Sequence, residues 1–234
     1  MESAYAALAD SDPDRRVLLL HSARRDDTRR IAIVRGLLHS TSVVPVPLQL
    51  PLTGISALAS WFAALSAREV TAGTALAHLR QIRMHLPTYA VTRSVAGLDL
   101  PQVKLRHHML SWLPGTTFAV ALDERTRVES TSVRPESTAV RGAVDIVRAG
   151  DHRLAAKVQS TVPAAVGETV DLPLPERGAP WWGTSRFYEH CVVPRDVDAF
   201  AESLAAAPKR RCPQCGDDLE TYCPFCRAQE SVLV

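Results

Sequence analysis

Four of the five cysteines fall in the last tenth of the chain, and their spacing is that of a metal site. Cys212 and Cys215 stand three apart, as do Cys223 and Cys226, with seven residues between the two pairs. Two thiolates three apart on a tight turn can grip one ion, and two such turns close a four-sulfur shell around Zn2+. The spacing therefore predicts one zinc per chain. With every position taken by sulfur, none is left for water or substrate, so the ion is expected to hold shape and not to catalyse. The competing use of four cysteines, a pair of disulfides, needs an oxidising compartment. The opening run MESAYAALADSDPDRR carries acids and no long apolar stretch of the kind a secretion signal has, so a cytoplasmic protein is expected.

The run CPQCGDDLETYCPFC resembles the small zinc-ribbon modules found at the ends of many otherwise unrelated proteins. The resemblance covers Cys212 to Cys226 alone. It implies a structural zinc and a module that docks on protein or nucleic acid. One departure is Arg227, where a second glycine would be usual. So short a ribbon buries no core of its own, and metal ligation supplies most of its folding free energy, on the order of 10 kcal/mol.

Other constellations carry less chemistry. Glu189-His190-Cys191 places an imidazole and a carboxylate beside a thiol, the makings of a thiol nucleophile. Adjacent residues of a strand point to opposite faces, however, so a buried structural cysteine is the favoured reading. His107 and His108 diverge by about 100° on a helix, and His78 and His85 lie two turns apart, so neither pair makes a metal site. No GxGxxG, GxxxxGK[ST] or GxSxG motif occurs. Asp145, followed by Leu154 to Lys157, resembles in part the hairpin of PD-(D/E)xK nucleases, which implies a divalent metal and an activated water. The second acid of that pattern is missing, because position 155 is alanine, unless Glu129 or Glu136 substitutes. Trp181-Trp182 sits in a Pro- and Gly-rich stretch with Arg177 and Arg186 nearby. It is read either as a cap on the core or as a partner-binding or base-stacking platform. Lys209-Arg210-Arg211 stands just before the first knuckle, placed to touch phosphate.

The elements that must position these groups can be read from period and punctuation. Val17 to Leu20 reads as a buried strand; Asp26, Asp27 and Thr28 open a helix with Ile31, Val34 and Leu38 on one face. Val43 to Pro51 holds three prolines, which confine it to a sheet edge or an extended arm. From Thr53, apolar residues at Ile55, Leu58, Trp61, Phe62 and Leu65 predict an amphipathic helix. A second helix runs from a Thr71 cap to Pro87, and a third from Val103 to Leu113. Thr116 to Leu122 and the alternating Thr126, Val128, Ser130 and Ser132 predict paired strands, and 139 to 160 a second hairpin. Residues 163 to 180 read as a long loop, Phe187 to Val193 as a strand, and Val197, Phe200 and Leu204 as the core face of a helix.

The 234 residues, 46% of them hydrophobic, suit one sizeable domain and a small appendage. The formal charge of +2 makes no basic field, although only Lys104, Lys157 and Lys209 among the 27 basic side chains are lysines. No stretch reaches the roughly 18 apolar residues of a membrane span, so no membrane partner is expected. The sequence thus predicts an α+β fold, with a helical N-terminal half packed on an antiparallel β meander and a C-terminal zinc ribbon. The expected domains are 1–206, with a sub-boundary near 114, a basic linker at 207–211, and ribbon and tail at 212–234. The expected function is that of a non-enzymatic adaptor or subunit of a larger assembly, which grips protein and in part nucleic acid. Its contacts would be Trp181, Trp182, Arg186, Lys209, Arg210 and Arg211. A metal-dependent nuclease or a thiol enzyme is the alternative.

Overall fold

The computed structural model describes residues 17–38, 43–98, 100–123, 126–130, 142–163, 165–173, 181–206, 210–216, 218–219, 223 and 225–226. It is a mixed α+β fold, and its contacts divide it into two units. One comprises Met1–Gln49, Ala59–Arg80 and Val197–Val234, the other Leu50–Leu58 and Gln81–Asp196.

In the first unit, β1 (Val17–Ser22) pairs in parallel with β2 (Val43–Leu48), joined through helix α1 (Arg25–Leu38). Asp26 and Asp27 lie in the first turn of α1, where the helix dipole favours them. Pro45 and Pro47 are two apart, so their missing N–H groups fall on one side of β2 while β1 lies on the other. That is the edge strand the prolines predict. β1 itself is half-buried, not fully buried. Helix α2 (Leu52–Ser66) follows, and its second half belongs to this unit. There Trp61 is buried, its ring 5.3 Å from that of Phe200 on helix α6 (Asp198–Ala206). The single helix expected from Thr71 to Pro87 is broken in two. Thr71 caps α3 (Ala72–Ala77), its hydroxyl accepting from the Thr74 N–H at 3.1 Å. His78 then leaves helical geometry at φ −107°, ψ 15°, and α4 (Leu79–Met84) resumes. Its Nδ1–H donates to the Thr74 carbonyl at 3.0 Å, a local bond of the kind that competes with the helix.

The second unit is built on a six-stranded sheet. Its members are β3 (Thr88–Thr92), β4 (Phe118–Leu122), β5 (Arg127–Ser130), β6 (Val144–Gly150), β7 (Val166–Asp171) and β8 (Phe187–Pro194), in the order β5-β4-β3-β8-β6-β7. Every pairing is antiparallel except β6 with β7. Alternation sorts the side chains to two faces, and both are buried. Ala90, Phe118, Val120, Leu122 and Phe187 pack with Trp181 and Trp182 on one face. Tyr89, Ala121, Ile146 and Val192, with Val91, Ala119 and Tyr188, fill the other. Burial on both sides explains why β3 reads as an unbroken run (TYAVT) and escapes a search for alternating strands.

Two expectations are corrected here. Leu154 to Val158 is not the return strand of a hairpin but part of a 3-10 helix, His152–Thr161, kinked at Val158. β8, from later in the chain, already holds the antiparallel place beside β6, and β7 holds the other side. The chain is also steered out of the sheet. Gly150 adopts φ +106°, the Asp151 N–H donates to the Phe187 carbonyl at 2.7 Å, and Asp151 Oδ1 accepts from the Arg153 N–H at 3.0 Å. Residues 163 to 180, expected as loop, contain β7; Pro175 and Pro180 lie outside the described residues, as do Ser132, Glu136 and Arg177. Helix α5 (Leu105–Leu110) is shorter than the 103–113 expected.

A Cβ at position 150 would stand 2.3 Å from the Phe187 carbonyl oxygen, on a backbone that L-residues avoid. Gly150→Ala is therefore expected to lower unfolding free energy by about 2–4 kcal/mol. Urea unfolding measures it, and a loss below about 0.5 kcal/mol would contradict the tight crossing of β6 and β8.

Candidate metal centre and a buried polar row

The C-terminal cysteines come together as their spacing predicts. β9 (Arg210–Arg211) and β10 (Asp218–Leu219) form a short antiparallel pair on either side of the first knuckle. Gly216 turns the knuckle at φ +74°, and its N–H donates to the Cys212 carbonyl at 2.9 Å. The four Sγ atoms lie within 4.8 Å of one another, with Cys212 to Cys226 at 3.3 Å and Cys215 to Cys223 at 3.4 Å. Bonds of about 2.3 Å to a tetrahedral ion set sulfurs about 3.8 Å apart, so the cluster has the size of a single-ion site. None of the four is joined in a disulfide. Burial raises the pKa of the Cys212 thiol, but the backbone amides of Cys215 and Gln214 and the thiols of Cys226 and Cys215 outweigh it and bring it down to about 6. The thiolate is the form that binds metal.

The module does not stand alone. Phe225, Cys212 and Cys223 are buried together, and Leu18 of β1, Val44 of β2 and Ala72 of α3 pack against them. α3 also lies along β10. Arg210 and Arg211, expected in a linker, form β9 and are exposed; Lys209 lies outside the described residues.

In the second unit, the strand Glu189-His190-Cys191 runs through the middle of the sheet and is buried throughout. Glu189 faces the layer that holds Trp182. Its Oε2 accepts from Trp182 Nε1 at 2.5 Å and its Oε1 from the Thr53 N–H at 3.2 Å. Thr53 is in the first turn of α2, where backbone donors have no partner within the helix, and no acid lies in that turn. Glu189 thus supplies, from across the fold, the anion that a helix N-terminus favours. Burial still dominates. It pushes the Glu189 carboxyl up to about 7, against the opposing pull of Trp182 and Thr53.

His190 points to the other face, between the rings of Tyr89 and Tyr188. Thr161 Oγ1 donates its single proton to the Val158 carbonyl at 2.6 Å, so across the 3.1 Å to His190 Nε2 the hydroxyl accepts. The ring therefore carries its proton on Nε2, and Nδ1 is a buried acceptor without a hydrogen bond. Desolvation lowers the His190 pKa to about 4. Cys191 returns to the Glu189 face, where its thiol reaches the Leu86 carbonyl at 3.6 Å and burial pushes its pKa up to about 12. The hydroxyls of Thr53 and Thr88 lie near enough to Glu189 and Cys191 to bias their ionisation, yet neither makes a well-formed hydrogen bond.

These positions settle the enzyme alternatives. Cys191 is a protonated core thiol on the opposite face from His190, so a thiol nucleophile is unsupported. Asp145 is not poised to hold a metal. A bulge where β7 meets β6 frees the Glu168 N–H, and Asp145 Oδ1 accepts it at 2.7 Å together with Arg195 Nε at 2.7 Å. Lys157 lies on the 3-10 helix and donates to Thr117 Oγ1 at 2.9 Å, so the nuclease hairpin is absent. Two of the histidines weighed as ligands are engaged elsewhere: His85 Nδ1–H donates to the Gln81 carbonyl at 2.9 Å, and buried His107 packs edge-on against Phe118. The tryptophan pair is core. Trp182 is fully buried and Trp181 nearly so, their rings perpendicular at 6.4 Å. The signal missed in the sequence was Glu189, a charged residue inside an otherwise buried strand.

No protein-family profile matches the chain, and no curated protein matches it in sequence. Solved structures do match in fold. A DegV family protein from Corynebacterium glutamicum superposes with a TM-score of 0.53 at 14% identity, over 83% of this chain and 80% of that one. A fatty-acid-binding DegV family protein from Thermus thermophilus gives 0.54 at 18% identity, over 82% and 75%. A DegV family protein from Eubacterium eligens, loaded with heptadecanoic acid, gives 0.54 at 8% identity, over 82% and 77%. The adaptor reading is corrected by these likenesses: two of these three proteins are described as binding or loaded with a fatty acid, and Trp181 and Trp182, on which a gripping surface rested, are interior.

The pKa shifts of Glu189 and His190 give opposite pH dependences. Glu189 ionises at about 7 in the fold against 4.5 in the reference chain, so the folded state holds the extra proton, and stability is lost as pH rises from 4.5 through about 7. His190 titrates at about 4 against 6.5, so its contribution is lost as pH falls through that window. Replacing Glu189→Gln removes the first effect. Between about pH 5 and pH 8, the stability of the native chain should fall relative to the variant by about 3 kcal/mol. A difference that does not vary with pH in urea titrations would rule out a buried, shifted Glu189.

Proposed function

We propose that this chain binds a long-chain fatty acid, with its C-terminal cysteines holding one structural zinc ion in a reducing compartment such as the cytoplasm. The observation that carries the lipid reading is the likeness of fold over four fifths of the chain to proteins described as fatty-acid binding or found loaded with one. The interior of the second unit supports it. A ligand with one polar head and a long apolar tail suits a site with extensive apolar walls and few polar groups of spare bonding capacity. The sheet is apolar on both faces, and the hydroxyls of Thr53 and Thr88 are buried without a well-formed bond. Hydroxyls of that kind can donate to a carboxylate without the cost of a second buried charge.

Zinc is the ion favoured by four sulfur donors at tetrahedral size. Its role here is to join the ends of the first unit: the sulfurs belong to the C-terminal module, and their apolar neighbours to β1, β2 and α3.

Both readings are testable on the full chain. Protein stripped of lipid should bind heptadecanoic acid saturably, one per chain, by calorimetry or native mass spectrometry; failure to bind any C14 to C18 acid below its aggregation threshold overturns the lipid reading. Elemental analysis of chain purified without chelator should find one zinc. Cys223→Ser should lose the ion and, with it, a stabilisation on the order of 10 kcal/mol at saturating metal. Retention of full thermal stability after metal removal would dismiss the structural role.

A further inference from the structure

Among the described residues, seven large apolar side chains are exposed, and four of them, Leu105, Met109, Trp112 and Leu113, lie within nine positions of one another. They are 76%, 64%, 85% and 56% exposed. Leu105, Met109 and Trp112 are spaced i, i+4, i+7, which puts them on one side of α5 and the turn that continues it. The opposite side is anchored. Val103 and Leu110 pack on the core cluster, His107 is buried against Phe118, and Ser111 Oγ accepts from the Val95 N–H at 3.2 Å while donating to the His107 carbonyl at 2.9 Å. The outward residues are therefore held out by a seated segment and cannot fold back.

Their electrostatic surroundings are one-sided. Between positions 100 and 122 there is no Asp or Glu, while Lys104, Arg106, His107 and His108 fall in or beside α5. Lys104 and Arg106 are exposed, flanking Leu105. Arg93 and Arg186, also exposed, lie at the same end of the sheet: Arg93 follows Thr92, which pairs with Phe118 and Phe187, and its N–H donates to the Arg186 carbonyl at 3.3 Å. An apolar ridge that includes tryptophan and is rimmed by cations fits the boundary of an anionic lipid bilayer. Leucine and methionine enter the acyl region, the indole sits at headgroup depth, and the basic groups meet lipid phosphates.

We propose that Leu105, Met109, Trp112 and Leu113, with Lys104 and Arg106, dock this protein on anionic membrane surfaces by shallow insertion, without spanning. No helix of the described residues is long and apolar enough to cross a bilayer. The proposal rests on the patch alone and does not require that the chain bind a free fatty acid.

The test uses the full, metal-loaded chain and vesicles of phosphatidylcholine, with or without phosphatidylglycerol, free of added fatty acid. Three of the four tryptophans, Trp61, Trp181 and Trp182, are buried, so a blue shift of the emission on adding vesicles reports Trp112. The expected result is co-sedimentation and a blue shift with phosphatidylglycerol vesicles, little of either with phosphatidylcholine alone, and weakening as salt is raised. Lys104→Glu and Arg106→Glu should each weaken binding about fivefold or more. Leu105→Ser combined with Trp112→Ser should abolish it with thermal stability and metal content unchanged, since both positions are exposed. No co-sedimentation of the native chain with anionic vesicles overturns the proposal. So does binding that survives the double substitution, or self-association in sedimentation velocity that the same substitutions abolish, which would show that a second copy covers the ridge. A native chain that binds vesicles but no free acid would leave the docking surface standing and remove only the ligand reading.

Discussion

The second unit depends on the contacts of one carboxyl group buried away from solvent, that of Glu189. Glu189 lies in the middle strand of the sheet, with Ala90 and Ala149 beside it in register, and takes the indole N–H of Trp182 and the first-turn N–H of Thr53. Removing water from a carboxylate costs several kcal/mol, and two donors return only part of that, so the group titrates near neutrality. In exchange, one side chain of β8 places both the start of α2, 136 residues away, and the Trp181-Trp182 turn just before the strand. The small neighbours matter as much as the donors. Ala90 and Ala149 leave the carboxyl room to be approached from above by α2 and Trp182; larger residues there would force it aside.

The first unit faces a different shortage. A pair of parallel strands is a poor structure by itself, and two prolines remove donors from one of them. Burial is recovered by packing the cysteine module on Leu18 and Val44, and that module in turn has too few residues to hold its shape without cross-linking. The proposed tetrahedral ion would answer both at once. It would fix the two knuckles, and Phe225 and the cysteine sulfurs they carry pack as an apolar layer. Four sulfur ligands would leave no position for solvent chemistry, as suits a part whose use is mechanical.

Legibility in the sequence followed the range of the interaction. The cluster of four cysteines was readable because its members are close in sequence and sit in two short, evenly spaced pairs. So were the Thr71 cap, the paired strands around Asp123, the edge character fixed by Pro45 and Pro47, and the separation of His190 from Cys191 across β8, all matters of a few residues. What failed was decided at long range. Leu154 to Val158 has a plausible strand composition, but β8, some thirty residues on, holds the place it would need. The tryptophan pair sits in a context typical of exposed loops, yet it packs on Ala90, Phe118 and Val120, about 60 to 90 residues earlier. The likeness of fold left no motif to read, because at 8% to 18% identity the shared feature is the arrangement of buried faces and not any set of residues.

Glu189 also limits how an acidic ligand can be taken up in this layer. The N–H groups at the start of a helix ordinarily attract an anion, and at α2 Glu189 already holds that of Thr53. A fatty-acid carboxylate brought to the Thr53 or Thr88 hydroxyl would meet a second carboxyl in an apolar medium. Two such charges cannot both remain, and the cheaper outcome is for one to keep its proton. Glu189, titrating at about 7, is the group nearest that balance, and the approach of another anion can only raise its pKa further. Under the proposed function, uptake of an acid at those hydroxyls would therefore be coupled to protonation of Glu189, whose neutral form still accepts from Trp182 or Thr53 and becomes a donor itself. The buried acid that holds the first turn of α2 would then also set the condition, neutral to mildly acidic pH, under which this interior could admit a second carboxyl group.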